Sequence, residues 1–115
     1  MQLKLFSPKI WIYPGAVDFR KSINGLSALV LSGFKERVQE GIFIFYSHDR
    51  KKIKLLAWHG NGFVLVYKRL EQGRFTIKPD ADSYALDEKQ LSWLLAGLDW
   101  VKMSEWNTLE YDDIF

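Results

Sequence analysis

Residues 52–70 read KIKLLAWHGNGFVLVYKRL. Two runs rich in apolar residues, 52–59 and 63–70, flank a Gly-Asn-Gly sequence at 60–62. Glycine and asparagine accept the positive φ angles of a tight hairpin turn, so the segment predicts two antiparallel strands joined by that turn. This is the clearest structural signal in the chain, and the other elements are predicted around it.

The register of this hairpin decides which side chains share a face. With Trp58 opposite Phe63, side chains alternate between the two faces along both strands. The further predicted pairs are Leu56–Leu65, Lys54–Tyr67 and Ile53–Lys68. Both faces are then largely apolar, and each needs a cover. We expect a helix on one face and a second helix, the chain tail or a partner on the other.

Further strands and two helices follow from the rest of the pattern. Strands are predicted at residues 10–13, 42–46 and 74–77. Apolar residues spaced three and four apart after Ser22 predict a first helix. Asp87, with Gln90 three residues later, predicts the capped start of a second helix. The fold class is therefore α+β, an antiparallel sheet of about four or five strands with two helices packed against it.

Length and composition restrict the class of protein. The chain has 115 residues, 48% of them hydrophobic, which fits a single folded domain and excludes a mainly disordered chain. We expect one α+β domain over residues 1–100 and an acidic, aromatic tail over residues 101–115 that docks on this domain or on another chain. The absence of cysteine excludes disulfides and thiolate sites. The sequence suggests neither a signal peptide nor a membrane span, so a cytoplasmic location without membrane contact is expected.

Charge is distributed unevenly, although the formal net charge is only +2. Residues 1–98 carry 15 Lys and Arg against 9 Asp and Glu. Residues 99–115 carry a single lysine against five Asp and Glu. Residues 46–78 alone contain eight basic and two acidic residues. Such a region favours a phosphate backbone or an acidic partner. It is also typical of a solvated strand edge, where lysines prevent edge pairing.

Basic and aromatic residues are interleaved in this region. Stacking groups beside phosphate-seeking groups are typical of proteins that bind single-stranded nucleic acid. The candidate phosphate contacts are Arg20, Lys21, Lys54, Lys68, Arg69 and Arg74, and the candidate stacking residues are Tyr67 and Phe75. The alternative is that both aromatic side chains belong to the core while the basic residues line a solvated edge.

Nucleophilic and histidine-based chemistry has little support. His48 and His59 are the only histidines, and their spacing is not that of metal ligands. Ser47, His48 and Asp49 are adjacent in sequence, but neighbouring residues of a strand point to opposite faces, so adjacency does not predict a triad.

Three carboxylates offer one further catalytic alternative. Asp18, Asp49 and Glu71 would form a metal-dependent nuclease site only if the fold brought them together around the ion. Each is close in sequence to a basic residue, and local ion pairs are the simpler interpretation. We therefore predict no catalytic residue, no metal site and no cofactor.

Four motifs resemble those of one protein family. They are Val17–Lys21 followed by Gly25-Leu26, Lys54–Trp58 followed by Gly60–Phe63, Tyr67–Phe75, and Leu94–Trp100. In this order they are similar to the accessory proteins, often called TnpB, encoded by the second open reading frame of bacterial insertion sequences of the class numbered 66. The run YKRLEQGRF at 67–75 is the most specific match, and the similarity spans roughly residues 10–100. Phe19 and His59 depart from the family pattern, in which methionine and an acidic residue are expected.

The resemblance implies a cytoplasmic protein that assists DNA transposition beside a separate, larger transposase, without the strand-cutting activity itself. Two compatible hypotheses follow. The protein binds DNA, with the ends of the element as the expected target, or it is an interaction module for the transposase, for another element-encoded protein or for a second copy of the chain in a homo-oligomer. The nuclease is the third hypothesis, and the departure at His59 makes an acidic catalytic role at the hairpin turn less credible.

Overall fold

The protein folds as a five-stranded sheet with helices on both faces, in a computed structural model that describes residues 9–33, 40–78 and 84–106. The strands are β1 (Lys9–Ala16), β2 (Gly41–Tyr46), β3 (Lys52–His59), β4 (Gly62–Arg69) and β5 (Tyr84–Leu86). The helices are α1 (Ile23–Gly33), α2 (Glu88–Leu95) and α3, helical over 100–106. The predicted α+β class is confirmed.

The β3–β4 hairpin has the predicted register. Trp58 pairs with Phe63, and the Leu56–Leu65, Lys54–Tyr67 and Ile53–Lys68 pairs all form. Gly60 occupies the turn with φ 63°, a conformation that a residue with a Cβ atom rarely adopts. The hairpin prediction is confirmed because alternation and turn chemistry act locally and point to one register.

The sheet order is β4-β3-β2-β1-β5, and one pair differs from the predicted antiparallel arrangement. β1 and β2 are parallel, whereas β2–β3, β3–β4 and β1–β5 are antiparallel. Parallel neighbours need a crossover, which α1 provides. The two strands start in close contact, since a Cβ atom at Gly41 would lie 2.7 Å from the carbonyl oxygen of Lys9. β1 also continues beyond the predicted end at residue 13 to Ala16, with a register irregularity after Ile12.

Both faces of the sheet are covered, as the apolar hairpin predicted. The α1 side buries Val17, Leu26, Val30, Phe43, Phe45 and Leu56. The α2 side buries Ile10, Ile12, Ile42, Ile44, Ile53, Leu55, Ala57, Phe75, Leu86, Leu94 and Trp100. Strand β2 is therefore buried on both faces, which explains its uninterrupted apolar sequence.

The predicted strand at 74–77 is wrong. This segment has no regular structure and instead covers the α2 side of the sheet. Its backbone forms hydrogen bonds outside any strand. The amide of Phe75 donates to the carbonyl of Arg50 in the β2–β3 turn at 2.7 Å. The carbonyl of Thr76 accepts from the indole of Trp100 at 2.7 Å. Phe75 and Ile77 are buried. Their alternation reflects packing onto the sheet, and the misprediction arose because strand pairing produces the same period.

Helix α2 begins as predicted, and α3 follows it. Asp87 accepts from the amide of Gln90 at 2.7 Å, while the Gln90 side chain accepts from the amide of Asp87 at 3.0 Å. This capping box satisfies two backbone donors at the helix start. Gln90 also donates to the Ser104 hydroxyl at 3.1 Å, which joins α2 to α3. Residues 107–115 of the expected tail lie outside the described residues. Among the described helices, none is long and apolar enough to span a membrane.

Candidate nucleic-acid interface

Several loops that carry basic residues meet at one end of the sheet. Because β1 and β2 are parallel, the segments that follow them, 17–22 and 47–51, meet at the same end, and β4 also ends there. Backbone bonds tie these segments together: the amide of Val17 donates to Tyr46 at 2.9 Å, and the amide of Leu70 donates to Lys51 at 2.8 Å. We call residues 17–22, 47–52 and 69–75 the basic end.

The basic end has a large positive excess. Its basic residues are Arg20, Lys21, Arg50, Lys51, Lys52, Arg69 and Arg74, and its acidic residues are Asp18, Asp49 and Glu71. The positive groups come from three separate stretches of sequence. Convergent charge of one sign produces a field that attracts a polyanion.

An open cleft of about 650 Å³ lies at the basic end. It is lined by Val17, Asp18, Phe19, Arg20, Ser47, His48, Asp49, Lys52 and Tyr67. Four elements contribute, namely the β1–α1 connection, the β2–β3 connection, the start of strand β3 and strand β4. The lining combines cations, two carboxylates and aromatic rings, so it offers both polar and stacking contacts.

Arg20 is held at the cleft by Asp18. Its Nη2 atom lies 2.7 Å from Asp18 Oδ2, and its Nε atom donates to Oδ2 at 3.0 Å. The hydrogen bonds from the Arg20 side chain and backbone hold the pKa of Asp18 well below its usual range. The Arg20 side chain is nevertheless 92% exposed, so the ion pair orients the guanidinium while leaving it open to solvent.

The β2–β3 connection is organised around Asp49. Its Oδ1 atom accepts from the Ser47 hydroxyl at 2.6 Å and from the amide of Lys51 at 3.0 Å. These bonds, the Ser47 bond foremost, lower the pKa of Asp49. Ser47 is buried and donates to Asp49 rather than to His48, in agreement with the prediction that these neighbours form no triad.

Lys54 does not have the predicted role. It is only 8% exposed, and its Nζ atom donates to the carbonyl oxygens of Phe19 at 2.7 Å and Lys21 at 2.9 Å. The ammonium also lies 4.9 Å from the centre of the Phe19 ring. The prediction of a phosphate contact by Lys54 is corrected, because its alternating position on β3 turns the side chain inward under the β1–α1 connection.

The two candidate stacking residues have opposite environments. Tyr67 is 50% exposed and its ring meets the Phe19 ring edge-on, with centroids 6.0 Å apart. Phe75 is 1% exposed and belongs to the core. Tyr67 thus remains a candidate, whereas stacking by Phe75 is corrected because its ring packs against the sheet.

The remaining predicted cations are at the surface with different partners. Lys68 Nζ donates to the carbonyl of Leu95, the last residue of α2, at 2.5 Å. Arg69 pairs with Glu71 at 2.9 Å. Lys21 and Arg74 are exposed, and neither side chain forms an ion pair with the described residues. A cation at a helix C-terminus is favourable, so Lys68 has a structural contact as well as an exposed position.

The carboxylates and histidines do not assemble into a metal site. Within residues 9–33, 40–78 and 84–106, no three His, Asp or Glu side chains are close enough to share an ion. Asp18 and Asp49 both line the cleft, but Glu71 does not. His48 is in the cleft, whereas His59 lies at the hairpin turn, roughly 23 Å away along an eight-residue strand.

The sequence predicted no specific contact for Arg50, Lys51 or Lys52. They were counted in the basic region, but nothing local linked them to Arg20. The missing signal was the direction of β1 relative to β2, which puts both following loops at one end. A helix between two short apolar strands is the pattern from which a parallel crossover is inferred.

Comparison with known proteins agrees with these motifs. The family described as IS66 Orf2 like protein matches residues 8–105. The chain belongs to this family. It is also similar to two uncharacterized proteins of Sinorhizobium fredii. Protein y4jC is 35% identical over 97 residues, covering 83% of each chain, and y4hO is 34% identical over 95 residues, covering 80% of this chain and 82% of the relative.

The family consists of transposition-associated accessory proteins of insertion sequences. The predicted resemblance is confirmed, and with it the association of this chain with transposition. No solved structure matches the chain.

Proposed function

We propose that this accessory protein binds DNA through the basic end of its sheet. The observation that carries the proposal is the convergence of seven basic residues from three segments at one end of the sheet, where two of them, Arg20 and Lys52, line an open cleft. Arg20 and Arg69 are oriented by surface ion pairs, and Lys21 and Arg74 extend from the same end. Transposition acts on DNA, so a phosphate backbone is the polyanion that this surface would meet.

The basic end suits backbone contact more than base recognition in a groove. Its cations lie on loops and a strand end, and no described helix presents a row of basic residues. Phosphate contacts of this kind position a protein on DNA and contribute affinity that depends strongly on salt. The cleft beside them supplies the only aromatic group of the predicted set that is half exposed, Tyr67.

Fluorescence anisotropy with labelled duplexes tests the proposal. Purified protein is titrated with element-end DNA and with a scrambled duplex at several salt concentrations. On duplex DNA the logarithm of the affinity should fall with the logarithm of the salt concentration by about 0.9 per phosphate contact. Lys21→Ala combined with Arg74→Ala should reduce that slope by about 1.8, since two contacts are lost.

A charge-matched variant controls for net charge. Lys89→Ala combined with Lys102→Ala removes two cations from α2 and α3, outside the basic end. This variant should retain the parental slope. Binding that is insensitive to salt, or an equal loss in both double variants, contradicts the proposal.

A second candidate function is binding of the transposase, and three exposed apolar side chains favour it. Leu31, Leu98 and Trp106 are 65%, 44% and 61% exposed. Large apolar groups at a surface are common at protein interfaces. In a pull-down with tagged transposase, Leu31→Glu or Trp106→Glu should reduce capture, while Ser32→Glu, which adds the same charge beside Leu31, should not. Parental capture by both apolar variants would argue against this function.

A further inference from the structure

We infer that the cleft at the basic end accommodates one unpaired nucleotide of the bound DNA, with its base against Tyr67. The inference rests on the proposed DNA binding and specifies the form of DNA that the site prefers. It follows from the distribution of charge in the cleft, the fixed position of the aromatic ring and the size of the space.

The lining of the cleft carries charges of both signs. Asp18 and Asp49 line it together with Arg20 and Lys52. Both carboxylates are ionised at neutral pH, as an aspartate ordinarily is, and their hydrogen bonds lower their pKa further. Ionised carboxylates repel a phosphate but accept hydrogen bonds from the amino groups of bases. The cations nearby neutralise the phosphates on either side of such a base.

The aromatic ring is held in place before any ligand binds. Tyr67 meets the edge of Phe19, and Lys54 Nζ lies 5.8 Å from the centre of the Tyr67 ring. Lys54 is itself bonded to the backbone of Phe19 and Lys21. Half of Tyr67 remains exposed. A ring that is fixed on one side and open on the other offers a stacking surface at little cost in side-chain entropy.

The size of the cleft fits a single nucleotide. Its volume of about 650 Å³ lies within the range of roughly 300–1,000 Å³ that small-molecule sites occupy. A base inside an intact duplex cannot stack on Tyr67, since both of its faces are covered by neighbouring pairs. A base that is unpaired, as in a single strand or a bulge, is able to leave the stack at lower cost.

The test compares three DNA probes that share one labelled strand. They are the single strand, a duplex in which one central base of this strand is unpaired, and the fully paired duplex. Each is measured by anisotropy at two salt concentrations. We expect the parent protein to bind the bulged duplex about tenfold more tightly than the paired one. In Tyr67→Leu this preference should disappear, while the salt dependence on the paired duplex stays unchanged.

Phe63→Leu is the matched control. It also replaces an aromatic ring of β4 by leucine, but beside the hairpin turn, where Phe63 contacts Trp58 with ring centroids 5.0 Å apart. It should retain the preference for the bulge, and urea denaturation establishes that both variants are folded.

The outcomes separate this inference from the proposed function. Equal affinity for bulged and paired duplexes, with a normal salt slope, overturns the unpaired-nucleotide site and leaves DNA binding intact. Loss of the preference in both Tyr67→Leu and Phe63→Leu also overturns it, because the effect would not belong to the cleft. If the protein shows salt-sensitive binding to none of the three probes, both the unpaired-nucleotide site and the proposed DNA binding are overturned.

Discussion

The ammonium of Lys54 donates to the carbonyl oxygen of Phe19 at 2.7 Å, across 35 positions of sequence. A second bond to the carbonyl of Lys21 at 2.9 Å attaches the β1–α1 connection to strand β3 at two points. Asp18 and Arg20 lie within that connection, so one buried lysine holds the acidic and basic groups of the cleft in place. The positive charge of Lys54 thus organises the candidate site rather than contacting its ligand.

Lys54→Met should destabilise the protein by about 2 kcal/mol, because two carbonyl groups lose a charged donor within a largely buried contact. The methionine retains the length and apolar stem of lysine. Urea denaturation measures the change in the free energy of unfolding. Lys51→Met, an exposed lysine of the neighbouring turn, should change stability by less than about 0.5 kcal/mol. Equal stability of the two variants would show that the Lys54 bonds are not structural.

Asp87→Ala should lower stability by about 1 kcal/mol, since the amide of Gln90 loses its acceptor at the start of α2. Asp87→Asn keeps an oxygen at the same position and should retain most of the capping energy. Thermal unfolding followed by circular dichroism distinguishes them. If alanine and asparagine are equally destabilising, the loss comes from the charge and not from the cap.

Trp100→Phe should cost about 2 kcal/mol, because the carbonyl of Thr76 is left without the indole donor in a buried setting. The bond joins α3 to the irregular segment at 74–77, so the variant should also increase amide exchange near Thr76. Trp106→Phe makes the same change at an exposed site and should be neutral within about 0.5 kcal/mol. A similar loss in both variants would contradict the structural role of the Trp100 indole.

Asp49 makes stability depend on acid pH. Its pKa is lowered in the folded protein, mainly by the Ser47 hydroxyl, so the folded state favours the ionised form. That contribution is complete above the unfolded pKa, about 3.9, and is lost as the pH falls through the lower folded value. Asp49→Asn still accepts from Ser47 but does not titrate. We therefore expect the free energy of unfolding to fall less steeply below about pH 4 in Asp49→Asn than in the parent. If the free energy of unfolding falls equally steeply with pH in the parent and in Asp49→Asn, the acid dependence does not come from Asp49.

Local patterns were sufficient for the elements whose partners are close in sequence. The hairpin register around Gly60 and the capping box of Asp87 followed from turn chemistry, alternation and side-chain hydrogen bonding within a few residues. The need for a cover on both faces of the sheet followed from the two apolar faces of the hairpin. The α+β class followed from the same signals.

The candidate site depends on relations that local patterns do not contain. The alternation of apolar and polar residues at 74–77 indicates that Phe75 is buried. It does not indicate whether the backbone of Phe75 pairs with a strand or with the turn at Arg50. The basic charge of Lys54 does not reveal that it lies under Phe19. In both cases periodicity describes which side of the chain is buried, while the partner is chosen by packing against distant residues.

The amino-acid sequence of this protein is enough to specify its hairpin, its helix starts, its two-sided apolar sheet and its family. Bringing Arg20 and Asp18 to the same end as Asp49 and Lys52 requires the parallel pairing of β1 with β2 through α1. The direction of that pairing comes from the crossover through α1, which returns the chain to the end of the sheet at which β1 starts. Side-chain periodicity is the same for parallel and antiparallel strands, so the residues of β1 and β2 do not by themselves give the relative direction of the two strands, which is set when α1 packs on the assembled sheet.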